Sequence, residues 1–122
     1  MKKIYHLASC STCQGIISDN DLAKKGFEMQ NIRVNKITGE QLDGMKQLSG
    51  SYESLFSRRA LKYKELGLKD RQLTEKDYRT FILQEDTFLK RPVIILGKQI
   101  FIGSEKKNLE ALKKALLSSG NH

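Results

Sequence analysis

The chain has 122 residues and a formal net charge of +8, with 39% hydrophobic and 30% charged residues. That balance excludes a disordered chain, and the length suits one domain that buries roughly two thirds of its unfolded surface without staples. No apolar run approaches the roughly 18 residues of a membrane span, so an integral membrane protein is excluded.

The opening Met1-Lys2-Lys3-Ile4-Tyr5-His6-Leu7 is interrupted by His6 and does not read as a signal peptide, so the expected location is the cytoplasm. Lys3 to Ala8 predicts a strand, and Ser11 to Gly26 a helix with Ile16, Ile17, Asn20, Ala23 and Phe27 near one face. Glu28 to Asn35 predicts a second strand carrying Met29, Ile32 and Val34. Strand, helix and strand in that order form a βαβ unit, hence a parallel pair.

The middle of the chain reads as helical. Thr38-Gly39-Glu40-Gln41 predicts an N-cap, followed by a helix with Leu42, Met45 and Leu48 that ends near Gly50. Residues 52–66 read as helical in pieces, with Leu55, Phe56, Leu61 and Leu66 apolar and Gly67 as the stop. Thr74 caps a predicted helix to about Glu85, with Tyr78, Phe81, Ile82 and Glu85 at helical spacing. Pro92 to Leu96 predicts a strand, Gly97-Lys98 a hairpin turn, and Gln99 to Ile102 the returning strand. A last helix carries Leu109, Leu112 and Leu116, and Ser118 to His122 should fray. The expected architecture is α/β: one domain over residues 1–122 with a mixed four-stranded sheet and an all-helical insert from about 38 to 90.

The two cysteines stand in Cys10-Ser11-Thr12-Cys13. A zinc site wants four ligands, and the only histidines are His6 and the terminal His122, so no metal is expected. A structural disulfide across a two-residue spacer gains little loop entropy, and the cytosol is reducing. The third reading is a redox pair. A CxxC at a strand-to-helix turn beside a βαβ pattern reads as thioredoxin-like. Cys10 then lies at the positive helix start, which favours thiolate, and Cys13 lies one turn in, placed to resolve a mixed disulfide. Ser11 and Thr12 add hydroxyl donors. The bland alternative is two small buried residues at a junction.

Arg91-Pro92 opens the third strand. In a thioredoxin-like sheet that strand start faces the CxxC turn, and a cis bond is expected there. Arg91 would then hold Cys10 ionised and bind an anion in forked geometry; its alternative is a solvated strand-edge arginine. Arg58-Arg59, read as lying on a helix, is a second candidate anion contact or simply exposed charge. The remaining basic residues form scattered pairs rather than a tract, which reads as solvated faces and not as a nucleic-acid surface.

Taken together, Cys10-Ser11-Thr12-Cys13, Tyr63-Lys64-Glu65-Leu66-Gly67-Leu68 and Lys90-Arg91-Pro92-Val93-Ile94-Ile95 resemble, in order and spacing, the glutaredoxin-type arsenate reductase and Spx family over residues 3 to about 117. The resemblance implies a thioredoxin-like fold. It also implies a chemistry in which a cysteine thiolate attacks arsenate, glutathione attacks the adduct and glutaredoxin completes the reduction, with three arginines on the oxyanion. Carried over, the nucleophile is Cys10 and one arginine is Arg91. Ser57 stands where the reductases carry the second arginine, and Arg59 where Spx-like members carry theirs. Ile102 stands at the third. The position of Cys13 is usually serine in the reductases, and a CxxC looks more like Spx, whose members bind the RNA polymerase α subunit and use the pair as a redox switch.

The resulting expectation is a thiol-disulfide oxidoreductase without bound cofactor. Cys10, Cys13 and Arg91 are its catalytic residues, and Ser11, Thr12, Arg58, Arg59 and Pro92 line its substrate site. Glutathione or another thiol donates electrons, through the glutathione/glutaredoxin or thioredoxin system. The alternative is a redox-sensing regulator that binds RNA polymerase α.

Overall fold

The computed structural model describes residues 1–119. In chain order the strands and α-helices are β1 (Lys2–His6), α1 (Ser11–Asp19), β2 (Glu28–Asn31), α2 (Gly39–Ser49), α3 (Leu61–Glu65), α4 (Glu75–Gln84), β3 (Val93–Leu96), β4 (Gln99–Ile102) and α5 (Lys106–Ser119). Single 3₁₀ turns lie at Glu53–Leu55, Leu68–Asp70 and Asp86–Phe88. The chain divides into two compact units, Met1–Asn31 with the chain from Arg91 on, and Ile32–Lys90.

The first unit is built on a mixed sheet ordered β2-β1-β3-β4. β1 runs parallel to β2 and antiparallel to β3, and β3 runs antiparallel to β4. Ile4 pairs with Ile94, and Ile94 with Phe101, so the three share one face of the sheet. They form a core with Ile16 and Ile17 of α1, Leu22, Phe27, and Leu112 and Leu116 of α5. Each such side chain stabilises the unit by about 1.5–3 kcal/mol when fully buried. The β3–β4 turn works because Gly97 takes φ 64°, a left-handed conformation that costs glycine nothing.

Three predicted elements end earlier than expected, the first being β1, which stops at His6 rather than Ala8. α1 stops at Asp19 rather than near Gly26, and 20–26 form successive turns. Asn20 turns its side chain back onto the Ile16 carbonyl (2.8 Å), and Asp21 takes φ +50°. Asn and Asp are the residues that offer the backbone such local alternatives to a helix. β2 pairs with β1 only over 28–31, so Val34 lies beyond the strand and is 76% exposed.

The second unit is helical. Thr38 and Gln41 form a capping box at the start of α2, and Gly50 ends it in the left-handed region. Thr74 and Asp77 cap α4 in the same way. Arg79 of α4 grips both Asp43 oxygens of α2 (2.8 and 3.2 Å), and Tyr52 donates to the same carboxylate. These two donors hold the Asp43 carboxyl down at about 2. Phe56 centres the unit's aromatic core, stacked on Phe88 at 5.0 Å and tilted against Tyr78 at 4.9 Å.

Residues 57–60 correct the helical reading around the double arginine: Arg58 and Arg59 sit in a turn before α3. The cause is long-range pairing, since Phe56 bridges to Leu89 and the Ser57 N–H donates to the Phe88 carbonyl at 2.7 Å. Leu61 and Leu66, counted as apolar helix positions, are exposed. Ser118 is helical rather than frayed, and Gly120 to His122 lie outside the described residues.

Candidate functional site

The end of β1 turns into α1 through Cys10, which is the helix N-cap in extended conformation (φ −87°, ψ 107°). An N-cap normally uses an oxygen to accept a free N–H of the first turn. Here the acceptor is sulfur: Cys10 Sγ receives the Cys13 N–H at 3.4 Å. The Cys10 N–H donates back to the Leu7 carbonyl at 3.1 Å, and the Gln14 N–H to the Cys10 carbonyl at 3.1 Å, so the backbone of Cys10 is held on both sides.

Both cysteines are free thiols. Cys10 is half-buried, whereas Cys13 has no exposed surface. Burial would push the Cys10 thiol up, but it is outweighed. The Cys13 N–H and thiol, the Arg91 charge and the Thr12 N–H together hold Cys10 below its ordinary value. Cys13 moves the other way: burial, with the Cys10 sulfur beside it, pushes it up to about 11. At neutral pH the half-exposed sulfur is the better thiolate and the buried one keeps its proton.

Arg91 is half-buried and precedes buried Pro92 through a cis peptide bond. Among the described residues it makes no ion pair, and it is the one guanidinium whose charge bears on both cysteines. Ser11 and Thr12 are exposed in the first turn. Ile102 of β4 pairs with Val93 of β3, and its N–H donates to Asn108 Oδ1 at 3.2 Å. In the helical unit Arg58 is committed, donating to Glu53 Oε2 at 2.8 Å and to the Tyr78 hydroxyl at 3.1 Å. Arg59 is exposed, and its side chain has no bonded partner among the described residues. His6 is 8% exposed, with Gln14 Nε2 at 3.3 Å from Nδ1. Its burial lowers its pKa.

The sequence model of the ArsC family matches residues 5–112. The chain belongs to the ArsC family. Within that family the chain is similar to the global transcriptional regulator Spx 2 of Bacillus cereus, 23% identical over 108 residues, which span 87% of this chain and 82% of that protein. Its fold is similar to that of arsenate reductase from Vibrio cholerae, with TM-score 0.75, 18% identity, and 92% of this chain and 95% of that one covered. An arsenate reductase (ArsC) related protein from Brucella melitensis overlays with TM-score 0.69 and 18% identity over 90% of this chain and 92% of that one. The ArsC fold is thioredoxin-like, and this chain's mixed four-stranded sheet and helices follow it. Among the described residues no three His, Cys, Asp or Glu side chains gather as a metal site, and no helix is long and apolar enough to cross a membrane.

Sequence reasoning missed Gln14 and the commitment of Arg58. The first carries no motif, and the second depends on Tyr78, 20 residues away.

Proposed function

We propose that this ArsC-family chain is a thiol-disulfide oxidoreductase with Cys10 as nucleophile. The observation that carries the reading is the Cys13 N–H on Cys10 Sγ, with Arg91 as the supporting charge. The Cys10 thiolate attacks one sulfur of a disulfide, forming a mixed disulfide and releasing the other half as a thiolate that takes up a proton. Cys13 then loses its proton and attacks Cys10 Sγ, closing the Cys10–Cys13 disulfide and releasing the second thiol. Two electrons pass from the cysteine pair to the substrate. A glutathione/glutaredoxin or thioredoxin system returns them. Ser11, Thr12 and Pro92 flank the incoming group.

The pairing of Arg58 with Glu53 and Tyr78, and the apolar side chain at Ile102, favour a disulfide over an oxyanion such as arsenate. Arsenate binding calls for several charge-assisted contacts acting together. In the sheet unit Arg91 is the guanidinium left to supply them. A redox titration against glutathione buffers, read by mass spectrometry, tests the reading. A reversible loss of two hydrogens, or a glutathione adduct confined to Cys10, is expected; two inert thiols would overturn it.

The similarity to Spx 2 over 87% of the chain favours a second reading, a redox-sensing regulator that binds RNA polymerase α. Retention of the C-terminal domain of polymerase α by one redox state and not the other would select it. Equal failure of both states to bind would remove it.

A further inference from the structure

Gln14 follows Cys13 in α1, and its residue surface is exposed, yet the NH₂ end of its carboxamide is engaged. Its Nε2 donates to the Leu7 carbonyl at 3.2 Å and lies 3.3 Å from His6 Nδ1. A carbonyl only accepts, so the carboxamide presents its NH₂ end and one hydrogen serves each partner. Where the second hydrogen serves His6 Nδ1, that nitrogen is the acceptor and the imidazole carries its proton on Nε2, which is the tautomer this clamp requires. The same Leu7 carbonyl takes the Cys10 N–H, and the Gln14 N–H donates to the Cys10 carbonyl. The glutamine thus touches the β1 end through its side chain and the cysteine turn through its backbone.

We propose that Gln14 is a positioning residue: its carboxamide ties the first turn of α1 to Leu7 and His6 at the end of β1, and so keeps the Cys13 N–H aimed at Cys10 Sγ. The proposal rests on Cys10 being the nucleophile. Its physical basis is that a hydrogen bond weakens steeply with angle, so a small rotation of the turn moves the N–H off the sulfur. The tie is lateral, between helix and strand, and adds a side-chain anchor to the Cys10 N–H bond on the same Leu7 carbonyl.

Gln14→Met keeps the stem and removes both donors at an exposed position, where substitutions are normally tolerated. The reduced proteins are alkylated with iodoacetamide across a pH series, and modification of Cys10 is followed by mass spectrometry. The variant's profile is expected to shift upward, with alkylation at neutral pH slowed roughly three- to tenfold. An unchanged profile overturns the positioning role alone. A wild-type Cys10 that resists alkylation at every pH overturns the nucleophile reading and this inference with it. ¹⁵N shifts of the His6 ring in the wild-type protein give a second check that needs no variant: a proton on Nε2 is expected, and a proton on Nδ1 overturns the clamp.

Discussion

A thiol attacks as its thiolate, so the directions in which the two cysteines are shifted assign the order of events. In the proposed mechanism Cys10, held down, reacts first, and Cys13, held up, waits until the mixed disulfide is next to it. Replacing Cys10 with serine is expected to bring disulfide reduction to background, whereas Cys13→Ser should trap substrate on Cys10 as a mixed disulfide visible by mass spectrometry. Arg91→Met removes the one guanidinium acting on Cys10 and should raise its titration midpoint in an alkylation series. The pH dependence of stability has a defined sign. Cys13 has a folded-state pKa raised from 9.0 to about 11, so its contribution to stability is complete below pH 9 and is lost as pH rises to about 11. The thermal midpoint of the reduced protein should therefore fall across that window. The disulfide form lacks that titration and should show a smaller fall. His6 acts at the other end: its lowered pKa means stability is complete above pH 6.5 and declines as pH falls through the folded value.

Among the elements, local chemistry sets the boundaries wherever a cap is present. The capping boxes at Thr38 and Thr74 start α2 and α4 where the sequence places them, because an N-cap hydroxyl satisfies an N–H that nothing else reaches. Thr38→Ala and Thr74→Ala are each expected to cost about 1 kcal/mol in chemical denaturation. Boundaries depart from the sequence pattern where distant pairing takes over. β2 is cut to Glu28–Asn31 by how far β1 extends beside it, and the Arg58-Arg59 turn is held open by Phe88 and Leu89. α3 buries none of its residues, so no apolar periodicity exists there to read.

For the molecule as a whole, stability divides between two cores with different character. The sheet unit is aliphatic around Ile4, Ile94 and Leu112, and the helical unit is aromatic around Phe56. Phe56→Ala opens a cavity where Phe88, Tyr78 and Tyr63 meet, and is expected to destabilise residues 32–90 by about 3–5 kcal/mol, read by hydrogen exchange. Leu61→Ala, at a position 79% exposed, should change stability by no more than about 0.5 kcal/mol. An equal loss at both positions would contradict the assignment of the core.

Residue order alone settles the strand-turn-helix that makes Cys10 an N-cap, the two capped helices, the hairpin at Gly97 and the family. The local features among these rest on contacts between residues a few positions apart, whose preferences are written into short stretches of chain. Which arginines stay available emerges only on folding. Arg58 is bound to Tyr78, 20 residues on, and Arg79 to Asp43, 36 residues back. The contacts of Gln14 emerge the same way, because its partners His6 and Leu7 lie where β1 ends, and that strand must first fold against α1. A charged or amide side chain has several partners of similar energy within reach in an unfolded chain. Packing removes all but a few, and that selection leaves no mark in residue order.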